Sequence, residues 1–123
     1  MYSFSEAVGR GFAQAFDFRS RAARSEYWFW VLFVFLLSFA AQLADALVYG
    51  QGTGPFYPAV ALALLIPGLA YGVRRFHDLG RSGWWILLVL VPLVGPVITA
   101  IWFLFRGEAG TNRFGPDPLE EGA

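Results

Sequence analysis

Arg74, Arg75, His77, Asp78 and Arg81 crowd into one short run, RRFHDLGRSGWW, whose side chains offer several chemistries. Arg75 stands three residues before Asp78, and Asp78 three before Arg81, so on one helical face a single carboxylate could bridge two guanidiniums. A structural ion cluster is the expected reading, because ion networks are the commoner cause of clustered charge, and ligand binding is its rival. Glu26 is expected at the same depth as a second acid, since a carboxylate among Tyr27, Trp28 and apolar neighbours needs an arginine beside it. His77 next to Asp78 suggests a proton shuttle or a metal pair. Adjacent residues on a helix point apart, however, and a chain with one His and no Cys is short of ligands. His77 is therefore expected as a hydrogen-bonded loop histidine, with no catalytic residue, no metal and no cofactor. Gly9-x-Gly11 offers half of a dinucleotide fingerprint, but no strand precedes it and Gln14 occupies the third glycine's place.

A different chemistry joins the same residues to the aromatic ones. Arg19, Arg21 and Arg24 beside Trp28 and Trp30, together with Arg74 and Arg75, form a collar suited to lipid phosphates and to stacking on rings. The candidate binding set is Arg24, Glu26, Arg74, Arg75, His77, Asp78, Arg81, Trp84 and Trp85. The expected partners are membrane lipids, anionic ones foremost, then a membrane-protein partner or further copies of the chain. Nine arginines balance nine acids, so no basic field points to nucleic acid.

The elements that carry these residues follow from composition. Of 123 residues 57% are apolar, 19% aromatic and only 15% charged, more grease than one small soluble domain can bury. The expected fold is all-α: an integral membrane protein with three transmembrane helices preceded by a short amphipathic interfacial helix, all in one domain, 1–123. Residues 3–18 open on a Ser3/Glu6 capping box and carry Phe4, Val8, Phe12 and Phe16 at every fourth position, a stripe that suits the headgroup layer or a surface of the protein itself. No secretory cleavage pattern is seen there, so the segment is expected to remain. Residues 27–50 form span 1, about 36 Å of helix with Tyr27, Trp28 and Trp30 anchoring one end and Gln42 and Asp45 approaching the far headgroups. Residues 56–73 form span 2, rich in small residues, with Gly68 and Gly72 as a close-packing pair expected to serve within the chain.

Residues 74–82 are then a cytoplasmic loop, 83–105 span 3 and 106–123 a polar tail. Trp84 and Trp85 at one end of span 3 and Trp102 near the other favour a full crossing. Pro92, Gly95 and Pro96 leave a re-entrant hairpin as the competitor. Seven arginines fall before span 1 or between spans 2 and 3 against two in the tail, which puts the N-terminus in the cytoplasm and the tail outside.

Three islands, Arg19 to Trp28, Arg74 to Trp85 and Gly110 to Pro118, resemble in order and spacing the bacterial inner-membrane family of domain of unknown function 805. Arg74, Arg75, His77, Asp78, Gly80, Ser82, Gly83, Trp84 and Trp85 match its central signature. Phe76 stands where the family has Leu, and Ser20 where it has Gly. The resemblance implies a small multi-pass protein of the bacterial inner membrane and no particular activity. The function expected from the residues is a non-enzymatic membrane protein that binds anionic lipid or a membrane partner through its cytoplasmic collar. An oligomeric transporter or channel is the alternative, with Ser38, Gln42, Asp45 and Thr99 as its few polar groups.

Overall fold

Described residues of the computed structural model are 2–50 and 54–119, so residues 1, 51–53 and 120–123 lie outside them. The frame is a pair of long antiparallel helices, α2 (Arg24–Tyr49) and α3 (Phe56–Asp78). Trp30, Leu64 and Tyr71 fill their seam, with Val34, Leu37 and Val60 packed alongside. Both helices are long and apolar enough to cross a membrane, yet only 11% and 28% of their most apolar stretches are buried within the protein. The core helix of a soluble protein would hide most of that surface. Here Phe35, Phe39 and Leu62 stand 65%, 63% and 73% exposed, as lipid-facing residues do.

At the distal end the α2–α3 connection is tied by Asp45. The sequence reading left this acid free to approach the headgroups. It is instead 7% exposed and accepts the Phe56 and Tyr57 N–H groups, each at 2.9 Å. The first backbone donors of α3 have no partner within their helix, so a carboxylate from the neighbouring helix caps them.

The other end of α3 departs from expectation too. Arg74, Arg75, His77 and Asp78 belong to its last turns and not to a loop over 74–82. The helix stops at Gly80 (φ +76°), where the Gly80 N–H meets the His77 carbonyl at 3.0 Å and the Arg81 N–H the Phe76 carbonyl at 2.9 Å. This is the left-handed glycine termination that satisfies the last carbonyls of a helix, and it aims Arg81 back over the site.

The expected single helix over 83–105 is not formed. A 3₁₀ helix over Gly83–Leu90 runs out from the arginine end, the chain reverses at residues 91–93, and α4 (Val94–Leu104) returns. Leu93 (φ +65°, ψ −55°) is the centre of a γ-turn closed by the Val94 N–H on the Pro92 carbonyl at 2.7 Å. Gly95 lies so close to the Leu88 carbonyl that an added Cβ would stand 1.7 Å from it. Pro92 and Pro96 break the helix, so the chain takes the hairpin that the sequence left as the competitor to a kinked crossing. Each arm is about 16 Å long by helix rise, roughly half of a hydrocarbon core. Of the glycine pair, Gly72 receives Ile86 of the outward arm, a close approach within the chain.

The N-terminal helix α1 (Phe4–Ala13) keeps its capping box, with the Glu6 N–H on Ser3 Oγ at 3.2 Å and the Ser3 N–H on Glu6 Oε1 at 3.1 Å. It is shorter than 3–18, and its stripe is divided. Phe4 packs edge-on against Phe29 and Phe33, and Phe12 against Trp30 and Phe33, because α2 presents an aromatic surface to it. Phe16, beyond the end of the helix, is 82% exposed.

Candidate functional site

Asp78 sits at the centre of the arginine end. Its Oδ1 receives Arg21 Nε at 3.0 Å and Nη2 at 2.9 Å, and its Oδ2 receives Arg75 Nη1 at 2.8 Å. One carboxylate does bridge two guanidiniums, as expected, but the second is Arg21 from the α1–α2 connection and not Arg81. Arg81 lies over the rings of Trp102 (4.1 Å) and Trp85 (5.5 Å). Arg21 stands in the first island, where it was expected in the lipid-facing collar and not at Asp78.

Glu26 is fully buried and also has a different partner from the one expected. Arg10 Nε, one turn from the end of α1, reaches Glu26 Oε2 at 2.7 Å, and the Tyr71 hydroxyl donates to the same oxygen at 3.2 Å. The central arginines instead hold backbone. Arg74, fully buried beneath the α1–α2 connection, donates to the Gln14 and Asp17 carbonyls at 2.8 and 2.9 Å and lies over the Tyr71 ring. Arg75, equally buried, donates to the Phe103 carbonyl at 3.2 Å and to that of Phe105. Arg24 Nη1 takes the Leu104 carbonyl at 3.1 Å, and Trp28 Nε1 that of Phe103 at 2.9 Å. The last carbonyls of α4 are thus met by two cations and an indole, a favourable setting for the negative end of a helix.

His77 is hydrogen-bonded as expected, through Nδ1 to the Arg19 and Ser20 carbonyls, and its ring stacks on Phe114 at 3.9 Å. The connection that supplies those carbonyls is itself ordered by Asp17. Partial burial works against the Asp17 charge, but the Ser20 hydroxyl and the Arg19 and Ser20 N–H groups outweigh it and hold the carboxyl below its ordinary range. The tail closes over the same end. Arg21 Nη1 donates to the Gly110 and Gly115 carbonyls, Asn112 Nδ2 to that of His77, and the Tyr2 hydroxyl to that of Pro118.

Arg24, Glu26, Arg74, Arg75, His77, Asp78, Arg81 and Trp85 are therefore brought together, whereas Trp84 stays 78% exposed at the edge of this end. Arg10, Arg21, Tyr71, Trp102 and Phe114 complete the assembly. Every arginine of the sequence lies at this end, while residues 46–58 at the other contain none. Among the described residues no group of three His, Cys, Asp or Glu side chains is placed to hold a metal.

The sequence profile of the family described as Protein of unknown function (DUF805) matches residues 15–116. Inner membrane protein YhaH of Escherichia coli K12 is 38% identical over 107 residues, covering 85% of this chain and 88% of that protein. Inner membrane protein YhaI of the same strain is 36% identical over 101 residues, covering 82% and 85% respectively. Its uncharacterized protein YiiR is 30% identical over 105 residues, or 82% of this chain and 68% of YiiR. No solved structure matches the chain. With the match spanning the first two islands, most of the third and both long apolar helices, the chain belongs to the DUF805 family.

Proposed function

We propose that this is a non-enzymatic protein of the bacterial inner membrane that crosses twice, dips a third hairpin into the bilayer, keeps both its N-terminus and its tail in the cytoplasm, and gathers anionic phospholipid at its arginine end. The observation that carries the reading is the one-sided charge. With the hairpin turned back, all nine arginines face the cytoplasm and the seven-to-two bias of the sequence becomes complete. The inner-membrane relatives support the location.

Arg74 and Arg75 are buried and hold the fold, so the lipid-facing cations are the exposed Arg19, Arg24, Arg106 and Arg113, with Arg81 flat on its two indoles. Each such arginine near an anionic surface is worth about 1 kcal/mol. A transport path has little support, because Asp45 is engaged in capping α3.

The test is lipid retention. Protein reconstituted with equal phosphatidylglycerol and phosphatidylcholine should carry the former through purification. The combined change of Arg19, Arg106 and Arg113 to Ala should remove most of that preference. Unchanged retention together with saturable solute flux by the wild type would replace this reading with a transporter.

A further inference from the structure

His77 is 5% exposed, and its Nδ1 lies 3.1 Å from the Arg19 carbonyl and 3.0 Å from that of Ser20. Carbonyl oxygens only accept, so Nδ1 carries the ring proton, and in the neutral ring Nε2 holds a lone pair. Among the described residues no protein donor meets Nε2. The ring borders a groove of about 450 Å³, a size ordinary for small-molecule sites. Phe18 from the α1–α2 connection, Val73 of α3, Trp84 and Ile86 of the outward arm and Phe114 of the tail make apolar walls, and Ser82 is the second polar group. Gly83 keeps the approach open: a Cβ there would stand 3.4 Å from His77 Nε2 and 2.7 Å from Val73 Cγ1.

One guanidinium lies against a wall of the groove, and a second exposed arginine follows Phe18 in sequence. Arg113 lies 4.6 Å from the Phe114 ring centroid, Arg19 is exposed beside its carbonyl bond to His77, and among the described residues neither forms an ion pair. An acceptor beside an open apolar groove, with Arg113 on the Phe114 ring and the exposed Arg19 next to Phe18, fits an occupant that has an apolar body, an anionic phosphodiester and a hydrogen-bond donor together. We propose that the groove binds one phosphatidylglycerol molecule, acyl chain along Ile86 and Trp84, phosphodiester toward Arg19 and Arg113, and a glycerol hydroxyl donating to His77 Nε2. This rests on the lipid reading above and deepens it, because charge alone selects any anionic lipid whereas His77 selects a hydroxyl.

The two claims separate with three lipids. Phosphatidylmethanol is an anionic diester without a hydroxyl, so its preference over phosphatidylcholine reports the arginines. The preference of phosphatidylglycerol over phosphatidylmethanol reports the groove. Native mass spectrometry of the full chain from nanodiscs of equal mixtures should show the second preference at about three- to tenfold, the size of one net hydrogen bond. His77→Phe, which keeps a ring against Phe114, should bring it to unity and leave the first preference in place. Gly83→Ala, which retains His77 but crowds Nε2, should do the same and covers the case in which His77→Phe does not fold. Equal retention of the two anionic lipids by the wild type, or a preference that survives both variants, overturns the groove proposal. Loss of the first preference in the wild type overturns the arginine reading instead.

Discussion

The rings of Trp85 and Trp102 meet edge to face at 5.5 Å, although the whole hairpin of residues 86–101 lies between them in sequence. Arg81 covers both. Two tryptophans that a full crossing would hold at opposite ends of one helix stand side by side here. The reversal depends on Gly95, whose position against the Leu88 carbonyl leaves no room for a methyl group. Gly95→Ala should therefore lower stability in detergent by about 1–3 kcal/mol, the usual range for overpacking. Thermal unfolding measures it, and the absence of a loss beyond that of Gly9→Ala, an α1 position with open space around it, would argue against the closed hairpin.

Asp78 and Arg21 join the central run to the α1–α2 connection, and both side chains are nearly inaccessible. Either single change to Ala should cost about 3–5 kcal/mol, because each strands a buried charge. In a double-mutant cycle the pair should couple by more than about 1.5 kcal/mol. Simple additivity of the two losses would show that they act independently.

Arg10 and Glu26 should be unequal. Removing Arg10 leaves a fully buried carboxylate with only the Tyr71 hydroxyl and the Ala23 N–H, whereas Arg10, with its side chain 37% exposed, can turn to water when Glu26 is neutralised. Arg10→Ala is expected to cost about 3 kcal/mol and Glu26→Gln about 1 kcal/mol. Urea midpoints in mild detergent would reveal the reverse order if Arg10 were the dependent partner.

Asp17 gives the arginine end a pH dependence. Its folded pKa is depressed, so its contribution is complete above the unfolded value of about 3.9 and is lost as pH falls through the folded one. Stability should fall below about pH 4. Part of that fall should be absent in Asp17→Asn, since the connection that holds Arg74 and His77 then has no charge to lose. Identical acid profiles for the two proteins would assign the fall to other carboxylates.

Much of this was legible in the chain. The two long apolar runs announce α2 and α3, the capping box starts α1, and the central run announces an ion cluster around Asp78. Composition cannot say which way a run of apolar residues goes after a proline. Residues 83–105 read as one span because hydropathy is blind to Leu93's γ-turn and to the close approach at Gly95. Partner choice among like residues was equally hidden. Arg21 takes the place foreseen for Arg81, and Arg10 that of the central arginines at Glu26. In both cases the selecting factor is which element packs overhead, which no local spacing encodes. The groove beside His77 draws walls from four separate segments, so only the fold assembles it.

The account turns on whether residues 83–105 come back to the side they leave. The chain has no Cys, so single cysteines at Ser20, Pro55, Ser82 and Thr111 can be probed with an impermeant maleimide in intact cells. Labelling should occur at position 55 alone, with 20, 82 and 111 reacting only after the membrane is opened. Labelling at both 55 and 111 in intact cells would mean that the segment crosses, that the tail arginines lie outside, and that the one-sided arginine face does not exist.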